Sequence, residues 1–260
     1  MLHVSSASAR GSLLTLLHPR GQSRPFFGLL IAGLVLSGVS VILAGLPLWG
    51  ATVITLGLIL YPAVQKWRQD VLRWGVPLTV LGILVALQGF HTVEHVAQWL
   101  QYHVLGWQPK DAGGLISPLN AEVVHFVWNW SIVVIVAYLW GQGLRNLWIY
   151  PLFLWSLAHA LEHLYLFVQY VQYIRLLSFT GQSWSFAQGL PGILGSHGWL
   201  DTRGPDFAGT AFLCRVVPTS FLAANRLDVH FVWNIPEFGF MLIYAHAAVR
   251  RRLVVDRSLN

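Results

Sequence analysis

The chain has little charge and almost no sulfur. Of its 260 residues 10% are Asp, Glu, Lys or Arg, against roughly 25% in an ordinary soluble domain, and no acidic residue precedes Asp70. A single cysteine, Cys214, excludes an intrachain disulfide and a thiolate-rich metal cage. So few charges, beside 55% hydrophobic residues, exclude a solvated globule and point to a lipid bilayer as the surrounding medium.

Apolar stretches long enough to cross a hydrocarbon layer of ~30 Å, about 20 helical residues each, are present at about 26–46, 49–65, 76–104, 119–140, 146–174 and 227–249. The expected fold is an all-α membrane protein of six transmembrane helices. The net charge of +6 does not imply a nucleic-acid partner, because the basic residues sort by side. Arg10, Arg20 and Arg24 precede the first stretch, Lys66, Arg68 and Arg73 follow the second, Arg145 follows the fourth, and Arg250, Arg251, Arg252 and Arg257 follow the sixth. By the positive-inside rule these segments, and both termini, are expected to be cytoplasmic.

The string HTVEH at 91–95 is echoed by HALEH at 159–163, and HFVWN occurs at both 125–129 and 230–234. Extended to twelve residues, HTVEHVAQWLQY and HALEHLYLFVQY share His, Glu, His, Gln and Tyr in register. A duplicated helix–loop–helix unit is the expectation. Repeat A covers 76–140 and repeat B covers 141–250 with a long outer loop at 177–225; two unrepeated helices occupy 26–75, and basic tails cover 1–25 and 251–260. The four repeated helices would form a bundle, with parallel copies related by an axis along the membrane normal. The long loop, rich in Gly, Pro and Ser, reads as a folded cap or re-entrant lid.

On a helix, positions i, i+3 and i+4 share a face, so His91, Glu94 and His95 project together, as do His159, Glu162 and His163. Counting from Val76 at ~1.5 Å per residue places His91 about 8 Å below the outer boundary, and His125 falls at nearly the same depth. The same holds for His159 and His230. Ionisable groups at such depth call for a partner, and a divalent transition metal (Fe, Cu or Zn) suits imidazole and carboxylate donors. The expected ligands of one or two ions per chain are His91, Glu94, His95, His125, His159, Glu162, His163 and His230.

Glu122, three residues before His125, and Asp228 are candidate catalytic acids, with Tyr102 and Tyr170 two turns outward from the pentads as proton donors. Asn129, Asn234 and Glu237 would orient the bound group. His197 and Asp201 read as a solvated loop pair, His103 lacks a counterpart in the second repeat, and His246 is expected to snorkel. H-x-x-E-H is the inverted zincin string, but one copy of so short a pattern carries no argument for hydrolysis.

Function is expected to be that of a metal-dependent membrane oxidoreductase whose small or lipophilic substrate enters from the outer leaflet. A haem b electron-transfer subunit serving a redox partner is the alternative, since paired histidines also ligate haem. A metal ion transporter and a subunit of a larger membrane complex are further ones.

Overall fold

A computed structural model describes residues 13–180, 190–203 and 219–258. Among these the chain is helical, without strands. A short helix α1 (Leu14–Leu17) precedes α2 (Ser23–Ala44), α3 (Leu48–Trp74), α4 (Val76–His103), α5 (Glu122–Gly141) and α6 (Ile149–Thr180). After the loop come α7 (Thr219–Leu222) and the long α8 (Arg226–Ser258). Five of them, α2 to α6, are long and apolar enough to cross a membrane. Their outward residues are apolar: Ile42, Leu43, Leu72 and Leu154 are among the exposed ones, as expected where lipid is the solvent. α8 is of similar length but interrupts its apolar sequence with Asp228, Glu237 and Arg250 to Arg252, and is not among the five.

The breaks between helices follow local chemistry. Gly45 closes α2 in the left-handed region at φ 63°, a conformation that costs glycine no Cβ clash. Gly75, at φ 80°, is the sole residue between α3 and α4. The second apolar stretch therefore continues as helix beyond its expected end at residue 65, and Lys66, Arg68 and Arg73 lie on the last turns of α3 rather than in a loop. There Lys66 pairs with Asp70 one turn on, and both are buried.

Helices α2 and α3 form a hairpin held by small residues. Ser37 Oγ donates to the Ala51 carbonyl at 2.6 Å and lies 2.9 Å from Thr55 Oγ1, and a Cβ on Gly33 would sit 3.1 Å from Thr55 Cα. Backbones approach this closely in membranes when small residues face each other.

The hairpin leans on α4 through α3. Within the remaining bundle α4 packs chiefly along α8 and α5 along α6, with α6 also against α8. The apolar core occupies one half of this bundle: Leu78, Leu81, Leu84 and Val85 of α4 meet Ile132, Val136 and Leu139 of α5, Leu152 of α6, and Met241, Tyr244 and Ala245 of α8. The other half, next to the 104–121 connection and residues 190–203, holds most of the buried polar side chains of these four helices. The described part of the long loop folds back on itself, with Trp199 N–H donating to the Gly192 carbonyl and Leu200 N–H to that of Ile193. The parts at 181–189 and 204–218 lie outside the described residues.

Candidate metal centre

Six imidazoles from four helices form one contiguous cluster. His91 and His95 face each other on α4 with ring centroids 4.5 Å apart, and His125 of α5 lies 5.4 and 5.6 Å from them. His163 of α6 stacks on His125 at 5.1 Å and on His230 of α8 at 5.1 Å. His230 is 5.3 Å from His95 and 5.4 Å from His125, and His159 adjoins His163 at 5.0 Å. Five of the six are buried and His91 is partly so. Ligand atoms of His91, His95 and His125 lie within 4.8 Å of one another, a spacing that could hold a metal ion.

The outward nitrogens of three rings are fixed by acceptors. His163 Nδ1 is 2.7 Å from Glu122 Oε1, and His159 Nδ1 is 2.9 Å from Glu237 Oε2. His95 Nδ1 is 2.8 Å from Gln98 Oε1. Gln98 spends its amide N–H on Asn120 Oδ1 at 2.5 Å, so its carbonyl oxygen accepts from His95 Nδ1–H. A ring that donates from Nδ1 turns the Nε2 lone pair inward, the arrangement by which outer partners fix tautomer and orientation in metal-binding histidines. Nε2 of His159, His163 and His230 and Nδ1 of His125 are buried with no hydrogen-bond partner. His95 Nε2 has only His91 Nε2, at 3.1 Å. Buried polar atoms are nearly always paired, and lone pairs left over in this way are what a bound cation would take up. The residues present therefore fit a metal.

The pentad glutamates are engaged elsewhere. Glu94 accepts the backbone N–H groups of Leu115 and Ile116 at 2.9 and 2.8 Å. Glu162 accepts those of Ile193 and Leu194 at 3.1 and 3.3 Å and Nη1 of Arg226 at 2.7 Å. Both were expected among the ligands; the structure turns them to the loops. The reason is angular. Each helical residue advances about 100°, so residues four apart, such as His91 and His95, nearly eclipse, while Glu94 stands well to one side. There the amides of an unpaired loop segment compete for its oxygens.

Glu122 and Glu237, expected to be catalytic and cofactor-orienting, each hold a histidine. Asn129 and Asn234 donate to the carbonyls of His125 and His230, both at 2.9 Å. Asp228 engages His103 Nε2 at 2.7 Å and Asn225 Nδ2 at 2.7 Å rather than the cluster. Tyr102 packs on His103 at 4.7 Å, and Tyr170 against Leu166 and Leu190. Neither tyrosine adjoins the six rings. His197 donates its backbone N–H to Asp201 at 2.8 Å, and both residues are exposed.

Several residues that complete the site were not expected from the sequence. Gln88, buried on α4 one turn before His91, donates to Asn234 Oδ1 at 3.2 Å and Glu237 Oε2 at 3.3 Å, and accepts from the Trp128 indole at 2.8 Å. Gln101 and Gln169, which share a register in the two strings, reach the loops: Gln101 Nε2 donates to the Gly114 carbonyl at 3.0 Å and Gln169 Nε2 to that of Pro191 at 2.7 Å. The signal was available, since GGLIS at 113–117 and PGILGS at 191–196 are themselves alike. A Cβ on Gly114 or on Gly192 would overlap the carboxylate of Glu94 or of Glu162.

Compared with protein-family models, with curated proteins and with solved structures, the chain matches none.

Proposed function

We propose that this chain is a membrane-embedded, non-haem metalloprotein, and that it acts as a metal-dependent oxidoreductase on a lipophilic substrate. The observation that carries the reading is the set of inward imidazole nitrogens, three of them on rings whose opposite nitrogen is already held by Glu122, Glu237 or Gln98. Ligand atoms of His91, His95 and His125 converge, and His163 and His230 adjoin them from repeat B with His159 beyond, donors enough for two ions. An all-imidazole donor set suits copper, zinc or iron. When bound, such a metal would supply Lewis acidity or electron transfer. Around it Glu122 and Glu237 would hold His163 and His159 in place and stand as acceptors for protons given up by a substrate.

In this reading α8 is the sixth span, the four helices α4, α5, α6 and α8 are a duplicated bundle, both termini are cytoplasmic, and the cluster lies beneath the outer surface. Supporting the duplication, exchanging α4 with α6 and α5 with α8 carries the pairing of α4 with α8 onto that of α6 with α5. Access from lipid is supported by a cavity of about 170 Å³ lined by Leu87, Phe90, His91, Glu94, Leu119, Val124 and Trp128. Its walls are largely apolar, and it meets His91, the one histidine of the cluster that is not fully buried.

The haem alternative fits less well, because a macrocycle between two axial histidines separates their rings, whereas here neighbouring rings stand within 5.6 Å and six imidazoles share one space. Transport fits less well because the half of the bundle beyond Gln88 and Glu237 is filled by the apolar core. Elemental analysis and an absorption spectrum of the detergent-purified chain test the proposal. Two equivalents of copper, iron or zinc without a Soret band are expected. A Soret band, or a chain free of transition metal after expression in metal-replete cells, would overturn it.

A further inference from the structure

The cavity that meets His91 lies in one of two clefts that the repeated sequences would make alike, and the two differ. Aligned on the pentads, Leu87 of α4 corresponds to Trp155 of α6; aligned on HFVWN, Trp128 of α5 corresponds to Trp233 of α8. On the repeat B side the cleft is closed. Trp155 packs against Trp233 with ring centroids 5.2 Å apart, its indole N–H donates to the Trp233 carbonyl at 2.8 Å, and His159 lies flat on the Trp233 ring at 5.3 Å and 5°. On the repeat A side Leu87 has no ring to lay against Trp128, and His91 stands 5.9 Å from it at 53°. The cavity of about 170 Å³ is lined by these three residues, with Phe90 as a second aromatic wall.

The wall is preformed, because the Trp128 indole N–H is held by Gln88 Oε1 at 2.8 Å and the ring is not free to turn into the gap. Val124 and Trp128 also border a shallow groove on the outer face of α5, with Val127 and Ser131 beyond. Val124 and Val127 are exposed, so the cavity opens toward lipid with space for a chain beside it. Inside, one polar contact is left over. Nε2 of His91 meets Nε2 of His95 at 3.1 Å, whereas Nδ1 has no hydrogen-bond partner among the described residues and is not one of the buried unpartnered nitrogens. In its counterpart His159, Nδ1 is held by Glu237; the residue matching Glu237 in α5 is Ile132, which has nothing to offer an imidazole.

We propose that the lipophilic substrate of this centre is a phenol, whose ring enters the cavity against Trp128 and Phe90, whose hydroxyl pairs with Nδ1 of His91, and whose tail lies in the groove on α5. Sites of this kind are mostly apolar with a polar group or two that fix orientation, and aromatic walls favour an aromatic guest. A hydroxyl suits the position in either tautomer: it accepts from Nδ1–H when a cation takes up Nε2, and donates to Nδ1 when none does. A carbonyl suits only the first. That the phenol is the substrate rests on the oxidoreductase reading above; that it binds beside His91 does not.

Calorimetric titration of the detergent-purified chain with para-pentylphenol, corrected for titration into empty micelles and with metal content measured on the same samples, tests this. One equivalent should bind. Leu87→Trp, which gives repeat A the side chain of repeat B at an exposed position, should raise the dissociation constant by about tenfold or more at unchanged metal content. Leu154→Trp, exposed on α6, should leave it unaltered. In the unmodified chain pentylbenzene, which lacks the oxygen, should bind about fivefold more weakly or worse, a comparison that depends on no variant folding. Heat no greater than that of empty micelles, unchanged affinity in Leu87→Trp, or an equal loss in Leu154→Trp would overturn the site. Equal affinity for pentylbenzene would make the occupant an acyl chain and overturn the phenol. Metal without phenol binding sinks this inference and leaves the metal reading standing; Leu87-dependent phenol binding by a chain that holds no metal does the reverse.

Discussion

His163 illustrates how much one side chain depends on its partner. Its Nδ1 meets Glu122, and outer partners of this kind change metal affinity by roughly 10- to 100-fold when removed. Glu122→Gln is accordingly expected to weaken metal binding by about that factor without abolishing it, measured by competition with a chromogenic chelator. His95→Ala and His163→Ala should lower the bound metal sharply. His103→Ala and His246→Ala should not, because His103 is engaged by Asp228 and His246 lies on α8 four turns beyond His230. Equal metal content in all four variants would remove the cluster from consideration. The glutamates mark where sequence reasoning stopped at this scale. Helical spacing tells which residues share a face, and the six histidine rings it singles out do adjoin one another. It does not tell which of two nearby demands, a cation or a row of loop amides, a carboxylate will meet.

Among the elements, the connection between α4 and α5 and the described part of the later loop are both fastened by the same chemistry: a pentad glutamate on two backbone N–H groups and a glutamine on a carbonyl. Only glycine fits at the nearest point of each. Gly114→Ala faces both a carboxylate overlap and a φ of +75°, and Gly192→Ala faces the overlap together with the guanidinium of Arg226. Each is expected to cost about 2 kcal/mol or more, seen as a lower melting temperature in detergent. The α2–α3 hairpin stands apart from the site. Gly33→Leu would push these helices apart, and the expected outcome is reduced thermal stability with metal content unchanged; loss of metal would show that the hairpin supports the bundle more directly.

At the scale of the molecule, apolar run lengths were enough to locate the helices, since lipid leaves a chain few other ways to satisfy its backbone. The apolar run of the second helix stops at residue 65, where charged residues begin, but charge does not end a helix and the actual breaker of α3 is Gly75. The order in which helices pack, α4 with α8 and α5 with α6, was not legible, because apolar faces are equally compatible with lipid and with protein. The six-span arrangement is tested by labelling. With Cys214 replaced by serine, Ser196→Cys should react with an impermeant maleimide on intact cells and Arg145→Cys only after permeabilisation. Reaction of both from the same side would require an odd number of crossings between residues 145 and 196 to be abandoned.

Glu94 and Glu162 each stand next to a histidine of the cluster, so the roof of the molecule is bolted to its hearth through adjacent residues. The amide hydrogens of Leu115, Ile116, Ile193 and Leu194 should therefore exchange with deuterium as slowly as those inside the helices, although they belong to connecting chain. No lifting of that roof can leave His95 or His163 undisturbed: solvent entry from above and loosening of the imidazole cage are one motion.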